Sequence, residues 1–388
     1  MSDSLYTCRW GIISTGWVAT RFVLDLLADP CTRDVHDVQH KVVAVGSRSK
    51  ESADRFVQET WRQAAQDTSA ESIKTYSSYD DLYSDPDVDC VYIGTPHSHH
   101  YANIHAALSA GKNVLCEKPL VINAAQARAL VKLARSRDRF LMEALWTKCL
   151  PFVRQLRQVV DSGAIGEVRG MQSELCSDAS ERTRHDPEHR MVNPELAGGA
   201  LLDLGPYAYT LLAVVLQPYR RSSRDSDPLP VPQVRSSMTK TSTGVDASVT
   251  ATISFEQPDG RVVQGTMIAA IDRHSPPERC AVIHGSHGYI TIHSPANNPR
   301  SFTVKRYKPG HPFWTAATEH EIETFPLEMP SGTWGFAYEA DQVARCLRDG
   351  KLESDLVPLD ETVLQMQIFD EIRSQNDLAY PAVLESLD

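Results

Sequence analysis

The chain has 388 residues and a formal net charge of −11, with 41% hydrophobic and 23% charged residues. This length exceeds one ordinary hydrophobic core and predicts two domains, and the composition is that of a folded globular protein. The acidic balance disfavours nucleic-acid binding and docking on an anionic membrane, because both need a basic surface. The sequence has no run of about 18 apolar residues and no basic, apolar leader, so we expect neither a membrane span nor a secretory signal.

Eight cysteines are scattered along the chain, and none forms a C-x-x-C pair. A zinc site or a disulfide framework would need clustered cysteines. We therefore expect reduced thiols, no metal site and a cytoplasmic location.

Short apolar strands alternate with amphipathic helices in the first part of the chain. Strands are predicted at 9–14, 41–45, 88–93, 113–116 and 140–144, with helices at 18–27, 49–65, 101–110 and 124–137. This alternation indicates βαβ units and a parallel sheet. We therefore predict an α/β Rossmann domain that binds a dinucleotide over residues 1–147.

The pattern changes after about residue 165 to β-rich segments with few helices between them. Strand-like runs lie at 168–177, 234–242, 247–255, 261–270, 279–293 and 301–307, and helices are expected at 201–216, 336–348 and 359–373. Consecutive strands without intervening helices predict antiparallel pairing. Residues 148–388 are therefore predicted to form an α+β domain with a large, predominantly antiparallel open sheet, and its clearest surface loop is 219–232.

The first strand runs into Ser14-Thr15-Gly16-Trp17-Val18-Ala19, a degenerate form of the dinucleotide fingerprint G-x-G-x-x-G/A. Ser14 replaces the first glycine, whereas Gly16 and Ala19 occupy the other two small positions. Small residues permit a tight turn, and the N–H groups at a helix N-terminus attract the pyrophosphate. An ordinary strand-to-helix turn is the alternative interpretation of this segment, but the βαβ context favours a cofactor loop.

The segment that follows the second strand, Gly46-Ser47-Arg48-Ser49, contains no acidic residue. An Asp or Glu there would bind the ribose of NAD, whereas an Arg accommodates the 2′-phosphate of NADP. A guanidinium grips a phosphate through two hydrogen bonds. The segment therefore predicts NADP as cofactor, unless Arg48 is only a solvated surface charge.

Polar residues follow the third and fourth strands, at Thr95-Pro96-His97-Ser98-His99-His100 and Glu117-Lys118-Pro119. Ligands of open α/β sheets bind at these carboxyl ends of the strands. A lysine there can polarise a hydroxyl or lower the pKa of a nearby acid, although an exposed loop lysine is the alternative. Neighbouring histidines cannot easily converge on one metal ion, so positions near the nicotinamide or the substrate are preferred for them.

A second polar block, Gly198-Gly199-Ala200-Leu201-Leu202-Asp203-Leu204-Gly205-Pro206-Tyr207, lies far downstream. In a helix over 201–216, Asp203 and Tyr207 would be i and i+4 and would share one face. Pro206 must then lie in a first turn, so the helix could start later than Leu201. A carboxylate and a phenol on one face can bind substrate and transfer a proton. The equal alternative is that Asp203 caps the helix and Tyr207 packs in the core.

Together these blocks resemble the Gfo/Idh/MocA oxidoreductase family. The resemblance rests on the S-T-G-W-V-A loop, T-P-H-S-H-H at 95–100, E-K-P at 117–119, E-A-L-W at 143–146 and G-G-A-L-L-D-L-G-P-Y at 198–207. Within the family, the chain is similar to the branch of dimeric dihydrodiol dehydrogenases and fungal NADP-dependent D-xylose dehydrogenases, partly through segment 189–199.

The resemblance implies a role for particular residues. Lys118, Tyr207 and Asp203 would be catalytic, with Tyr207 as the acid/base. The implied cofactor contacts are Ser14, Thr15, Gly16, Trp17, Ser47, Arg48, Thr95, Pro96, His97, His100, Glu117, Lys118 and Trp146. The implied substrate contacts are Lys118, Trp146, Arg190, Asp203 and Tyr207.

The resemblance also implies an activity, the NADP-dependent oxidation of a pyranose aldose at C1 to its lactone. D-xylose is the preferred substrate, and dimerisation through the C-terminal sheet is expected. A trans-dihydrodiol of an aromatic hydrocarbon is the alternative substrate, because both are vicinal diols in rings of the same size. A sugar or dinucleotide sensor without turnover is the alternative of another class, and the presence of both Lys118 and Tyr207 argues against it.

Overall fold

The computed structural model describes residues 5–65, 70, 72–183, 185–217, 229–308, 319–330 and 332–387. Contacts divide the chain into two units. Unit 1 comprises Met1–Cys149, Met329–Val363 and Glu385–Asp388, and unit 2 comprises Leu150–Glu328 and Leu364–Leu384. The predicted boundary at residue 147 stays a prediction, because contact density alone does not establish an independently folding domain.

Unit 1 contains a six-stranded sheet in the order β3-β2-β1-β4-β5-β6, and all of its strand pairs are parallel. Its strands are β1 (Tyr6–Ile13), β2 (Val38–Gly46), β3 (Lys74–Tyr76), β4 (Cys90–Ile93), β5 (Asn113–Glu117) and β6 (Leu141–Ala144). This order is the doubly wound arrangement of dinucleotide-binding domains. The predicted Rossmann fold is therefore confirmed. Strand β3 was not predicted; it has only three residues and no fully buried side chain.

The helices follow the chain in both units. They are α1 (Trp17–Leu27), α2 (Lys50–Gln63), α3 (Tyr79–Ser84), α4 (His100–Ser109), α5 (Ala124–Ser136), α6 (Trp146–Cys149), α7 (Pro151–Asp161), α8 (Ser180–Thr183), α9 (Ala200–Asp203), α10 (Gly205–Leu216), α11 (Phe336–Arg348), α12 (Leu359–Gln375) and α13 (Ala382–Glu385). Several begin at a capping side chain: the Ser49, Ser78 and Asn123 side chains accept hydrogen bonds from the backbone N–H groups of Ser52, Asp81 and Gln126. Such caps satisfy first-turn N–H groups that have no partner within the helix.

Helix α11 packs into unit 1 although it is remote in sequence. The buried carboxylate of Asp25, on α1, accepts hydrogen bonds from the backbone N–H groups of Trp334, Gly335 and Phe336. A single carboxylate thus satisfies the start of α11, where N–H groups otherwise lack partners. Segment 334–336 is thereby fixed against α1.

A buried polar network adds a second tie to α11. The Arg33 guanidinium donates two hydrogen bonds of 2.7 and 2.8 Å to Asp341, whose carboxylate lies 2.9 Å from Nε2 of His40. The Trp10 indole donates to Nδ1 of His40 at 3.1 Å. Burial lowers the pKa of His40, so its neutral ring can accept from Trp10 and donate to Asp341.

Unit 2 contains an eight-stranded sheet in the order β14-β13-β12-β11-β7-β10-β9-β8. Its strands are β7 (Val168–Cys176), β8 (Gln233–Lys240), β9 (Asp246–Glu256), β10 (Val262–Ala270), β11 (Ala281–Gly285), β12 (Gly288–Ile292), β13 (Ser301–Tyr307) and β14 (Glu319–Pro326). Only the β7–β10 pair is parallel among the pairs that the described strands form, so the predicted, predominantly antiparallel sheet is confirmed. The run predicted over 279–293 divides into β11 and β12, which pair as a hairpin.

The predicted helix over 201–216 is wrong in its continuity, because the chain forms α9 and then α10. Pro206 lies in the first turn of α10, where its missing N–H costs nothing. By length and composition, Pro194–Leu216 would be long and apolar enough to cross a membrane, but 89% of its most apolar window is buried inside the fold. A core helix of a globular domain passes the same test. Most of the predicted 219–232 loop lies outside the described residues.

Candidate active site

The turn between β1 and α1 has the geometry of a phosphate loop. Gly16 is the N-cap residue of α1 and has no side chain, so it leaves the first-turn N–H groups open to an acceptor. Ser14 has φ +83°, in the region that favours glycine. The first fingerprint position thus keeps a glycine-like backbone although its residue is serine. The Thr15 hydroxyl lies 3.0 Å from the Ser52 hydroxyl, which ties the turn to α2.

An aromatic pair lies beside this loop. Trp17 is 58% exposed, and its ring meets that of Trp334 edge-on, with ring centroids 5.0 Å apart. The Arg21 guanidinium lies 5.6 Å from the Trp17 ring and 5.9 Å from the Trp334 ring. Trp17 was predicted from the sequence, whereas Arg21 and Trp334 were not. Arg21 lies four residues, about one helical turn, after Trp17, a position at which a cation could have been noticed.

Arg48 is exposed after β2, and its charge acts on two aromatic side chains. Burial lowers the pKa of His99 below its usual range, and the Arg48 guanidinium lowers it further. Burial raises the pKa of Tyr79, against the opposing effect of the same guanidinium. The Arg48 guanidinium is therefore near enough to Tyr79 and to His99 for its charge to influence both side chains. Ser47 is buried, and its N–H donates to the Tyr76 carbonyl on β3.

His100 is fully buried at the start of α4, where it connects two ligand-side loops. Its Nε2 lies 2.8 Å from the Thr95 carbonyl oxygen and its Nδ1 lies 2.9 Å from the Pro119 carbonyl oxygen. Burial lowers the pKa of His100 to about 4, so the ring is neutral near pH 7 and donates its single N–H to one of the two carbonyls. The ring thus lies between the end of β4 and the loop that carries Lys118, close to a carbonyl oxygen of each.

The other histidines of this segment occupy a short 3₁₀ turn, His97–His99. His97 is buried, and its ring meets that of His100 edge-on at 6.4 Å. Both nitrogens of His100 face carbonyl oxygens, so this ring is engaged by the backbone. Over the described part of the chain, no group of three His, Cys, Asp or Glu residues is placed to hold a metal ion.

Lys118 follows β5 at the carboxyl edge of the parallel sheet, and its neighbours on both sides are fixed. Glu117 is buried and accepts a 2.6 Å hydrogen bond from the Tyr92 hydroxyl. Leu120 donates its N–H to the buried Glu143 carboxylate at 3.1 Å. The backbone around Lys118 is therefore held by three elements of unit 1, which fixes where this half-buried side chain emerges.

Trp146, at the start of α6, is 1% exposed and packs against Phe336 with ring centroids 4.6 Å apart. The structure thus gives this side chain a packing partner within unit 1. Its expected contacts with cofactor and substrate stay predictions.

The glycine-rich block of unit 2 carries the other predicted catalytic residues. Gly199 is the N-cap residue of α9 and Leu204 that of α10, whereas Asp203 is the last residue of α9, so Asp203 is the N-cap residue of neither helix. Arg190 donates to the Asp203 carboxylate at 3.3 Å. Tyr207 belongs to α10, and its N–H donates to the Leu204 carbonyl. Asp203 and Tyr207 are both largely buried, on consecutive helices rather than on one.

The predicted catalytic residues and the predicted substrate contact Arg190 are thus divided between the units. Lys118 belongs to unit 1, whereas Arg190, Asp203 and Tyr207 belong to unit 2. Their joint action on one substrate stays a prediction.

Comparison with known proteins places this geometry in a family. Residues 8–145 match the oxidoreductase family with an NAD-binding Rossmann fold, GFO_IDH_MocA, and residues 153–291 match the GFO/IDH/MocA C-terminal domain. The chain is 37% identical to D-xylose 1-dehydrogenase (NADP(+)) of Hypocrea jecorina, over 99% of this chain and 95% of the relative. It is 32% identical to trans-1,2-dihydrobenzene-1,2-diol dehydrogenase of Bos taurus, over 96% of this chain and 98% of the relative.

Solved structures share the fold. KijD10, a 3-ketoreductase from Actinomadura kijaniata in complex with NADP and TDP-benzene, has a TM-score of 0.73 at 23% identity, covering 97% of this chain and 100% of its own. The aldose-aldose oxidoreductase of Caulobacter crescentus has a TM-score of 0.70 at 21% identity, covering 96% of this chain and 98% of its own. The resemblance found in the sequence motifs is therefore confirmed: the chain belongs to the Gfo/Idh/MocA family of oxidoreductases.

Proposed function

We propose that this protein is an NADP-dependent dehydrogenase that oxidises a pyranose aldose at C1, with D-xylose as the first candidate. The observation that carries the proposal is the fixed Lys118 backbone at the carboxyl edge of the parallel sheet, where ligands of such sheets bind. The 37% identity to an NADP-dependent D-xylose 1-dehydrogenase over almost the whole chain supports the substrate class. A lactone is the expected product.

The residues present fit NADP. The uncapped start of α1 after Gly16 suits the pyrophosphate, and the exposed Arg48 guanidinium, whose charge acts on Tyr79 and His99, suits the 2′-phosphate. The proposed contacts are Ser14, Thr15, Gly16, Trp17, Ser47, Arg48, Thr95, Pro96, His97, His100, Glu117, Lys118 and Trp146. When bound, NADP supplies the acceptor for the hydride that leaves C1.

Tyr207 is the proposed general base. Its phenolate oxygen takes the proton of the C1 hydroxyl while hydride leaves C1, and the remaining electron pair forms the lactone carbonyl. A free tyrosine has a pKa of about 10 and needs a nearby cation to ionise near neutrality. The Lys118 ammonium is the proposed cation. Asp203, oriented by Arg190, is proposed to bind a substrate hydroxyl, and Trp146 to line the sugar.

A trans-dihydrodiol of an aromatic hydrocarbon is the second candidate substrate. It is favoured by 32–33% identity to several trans-1,2-dihydrobenzene-1,2-diol dehydrogenases, over at least 95% of this chain.

Initial rates on D-xylose, D-glucose and a benzene trans-dihydrodiol, each with NADP and with NAD, separate these functions. We expect the highest kcat/KM with D-xylose and NADP. Turnover of the dihydrodiol alone would replace the aldose proposal. Cofactor binding without turnover of any substrate would instead indicate a sensor.

We also propose a cytoplasmic homodimer that forms through the open face of the unit 2 sheet. Along β10, Val262, Gln264, Thr266 and Ile268 are at least partly exposed, whereas the alternate residues are buried. A stable interface buries at least about 1,200 Å² of total surface, which this face of the eight-stranded sheet would have to supply.

Light scattering tests the dimer directly. The wild type should have twice the mass of one chain, and Ile268→Glu should shift it towards monomer, because a buried unpaired carboxylate is unfavourable. Substitution of the exposed Asp272 by Glu is the matched control. A monomeric wild type contradicts the proposal.

A further inference from the structure

We propose that Asp246, at the start of β9, is a positioning residue for Asp203 and Tyr207. Its buried carboxylate holds the turn from which both helices of the glycine-rich block continue. The inference rests on the proposed function for the roles of Asp203 and Tyr207, but the contacts that carry it lie entirely within unit 2.

The central contact is a short hydrogen bond. Asp246 is fully buried, and its Oδ2 accepts the N–H of Leu201 at 2.6 Å. Leu201 is the second residue of α9, whose own N-cap residue, Gly199, has no side chain to satisfy the first turn. Asp246 supplies the missing acceptor from β9, a strand that comes later in the chain.

The block fits around this carboxylate. Gly199 has φ +120°, and a Cβ added there would collide with Oδ1 of Asp246. Glycine is therefore required at 199 both by its backbone angle and by the close approach of the carboxylate. On the other side, the Tyr380 hydroxyl donates to the Gly198 carbonyl at 2.8 Å. The two glycines are thus fixed between Asp246 and Tyr380.

Backbone hydrogen bonds transmit this position towards the catalytic residues. The Asp203 N–H donates to the Gly199 carbonyl at 3.3 Å, and the Leu204 N–H donates to the Ala200 carbonyl at 2.8 Å. The Tyr207 N–H then donates to the Leu204 carbonyl at 3.2 Å. If the turn at 199–201 moves, Asp203 and Tyr207 move with it. A displacement of about 1 Å at a reacting group can cost about 100-fold in rate.

Stability alone does not account for an aspartate at this position. Burial raises the pKa of Asp246 to about 6, although backbone N–H groups and the Arg373 charge favour the carboxylate. A fully buried acid whose ionisation is disfavoured weakens the fold near pH 7. The geometry gives this carboxylate a positioning role, because its Oδ2 accepts the Leu201 N–H.

Asp246→Ala tests the proposal through kcat and KM. Loss of the acceptor should lower kcat for D-xylose roughly 10- to 100-fold, while KM for NADP, which binds unit 1, stays unchanged. Asp246→Asn keeps an oxygen for the Leu201 N–H and should recover most of the lost kcat. Phe302→Leu is the control, because Phe302 is a fully buried residue of β13 that packs on Phe325. The control should lower thermal stability without changing kcat.

Hydrogen exchange gives a readout that does not depend on turnover. Peptides that cover 199–207 should exchange faster in Asp246→Ala than in the wild type or in Phe302→Leu. Unchanged exchange in these peptides overturns the inference, and so does a wild-type kcat in Asp246→Ala.

If Asp246→Ala fails to fold, Gly199→Ala takes its place, since the added methyl displaces the same carboxylate and should give the same pattern. If the wild type turns over no aldose or diol, the proposed function fails. The exchange result then decides the inference by itself.

Discussion

The predicted catalytic residues of the two units, described here as two halves, are each held by buried polar side chains, but these side chains come from different kinds of sequence segment. In unit 1, the loop that carries Lys118 is held by His100 and Glu143, which belong to motifs of their own near the ligand edge of the sheet. In unit 2, the block that carries Asp203 and Tyr207 is held by residues outside any recognisable motif. Buried polar side chains fix the backbone in both halves, so both are preorganised before a ligand binds.

The chemistry of the two supports differs. Unit 1 uses a histidine that burial keeps neutral, with its pKa lowered to about 4, whereas unit 2 uses an aspartate whose pKa burial raises to about 6. As the pH falls, His100 therefore takes up a proton at a lower pH than a free histidine does, whereas Asp246 takes one up at a higher pH than a free aspartate does. Acid should affect the two halves in opposite directions.

The largest expected effect comes from removing one reacting group of each half. Lys118→Met and Tyr207→Phe should each lower kcat by about 10²–10⁴, because general acid–base catalysis supplies a factor of that size. If both halves serve the same step, the double variant should lose little more than either single variant. Circular dichroism checks that each variant is folded. Near wild-type turnover in either single variant removes that residue from the mechanism.

A smaller effect is expected from a substitution of Arg48 in unit 1, and it should be limited to the binding of NADP. Arg48→Asp replaces a phosphate partner with a repelling charge, so KM for NADP should rise by about 10- to 100-fold, the value of a charge-assisted hydrogen bond. KM for the sugar and kinetics with NAD should change little. The exposed Arg62, at the end of α2, provides the control Arg62→Asp. Equal effects of both substitutions would mean that Arg48 acts only through overall charge.

The opposite proton linkage of His100 and Asp246 predicts a difference in acid stability. The pKa of His100 is lower in the folded protein than in the unfolded chain. Its contribution to the free energy of unfolding therefore falls by about 3 kcal/mol as the pH drops from about 6.5 to about 4. For Asp246 the folded pKa lies above the unfolded value, so the free energy of unfolding gains about 3 kcal/mol between about pH 6 and pH 4.

Denaturant unfolding at several pH values between about 4.5 and 7, a range that covers much of both titrations, measures this difference in acid stability. His100→Asn should lessen the loss of stability in acid, and Asp246→Asn should increase it. Parallel profiles for the wild type and both variants would show that neither group changes protonation as inferred.

The smallest expected effect concerns the phosphate loop. Ser14→Gly relieves a left-handed backbone at φ +83° and should raise the free energy of unfolding by up to about 1 kcal/mol. Ser98→Gly, in the 3₁₀ turn, has no such strain to relieve and should lower it. A lower thermal midpoint for Ser14→Gly would show that the serine hydroxyl contributes more than the strain costs.

Periodicity along the chain was sufficient to predict both sheets. Strand–helix alternation in unit 1 and consecutive strands in unit 2 are local signals, and the structure confirms both. The weak elements escaped prediction for physical reasons. Strand β3 buries too few side chains to show an apolar pattern. The break between α9 and α10 depends on Pro206, which was expected to lie in a first turn, but the residue at which the second helix begins was not predicted.

The candidate site shows a different limit. Its proposed reacting residues lie in short motifs that the sequence displays, whereas Asp246 and Tyr380 contact residues that are distant in the chain. A single sequence contains no signal for such pairs. Gly199 was the one available clue, since a glycine before a helix indicates either an unusual backbone angle or a close neighbour, and here it indicates both.

The bonds from Asp25 to the start of α11 have a consequence for synthesis of the protein. Helix α11 belongs to unit 1 but is synthesised only when the ribosome has passed Arg348. Unit 1 therefore cannot be completed while only residues 1–149 have left the ribosome. During that interval Asp25 has none of its three backbone donors from 334–336, and the apolar surface that α11 covers stays uncovered. A fragment that ends at Cys149 should therefore be a client for chaperones rather than an autonomous nucleotide-binding module.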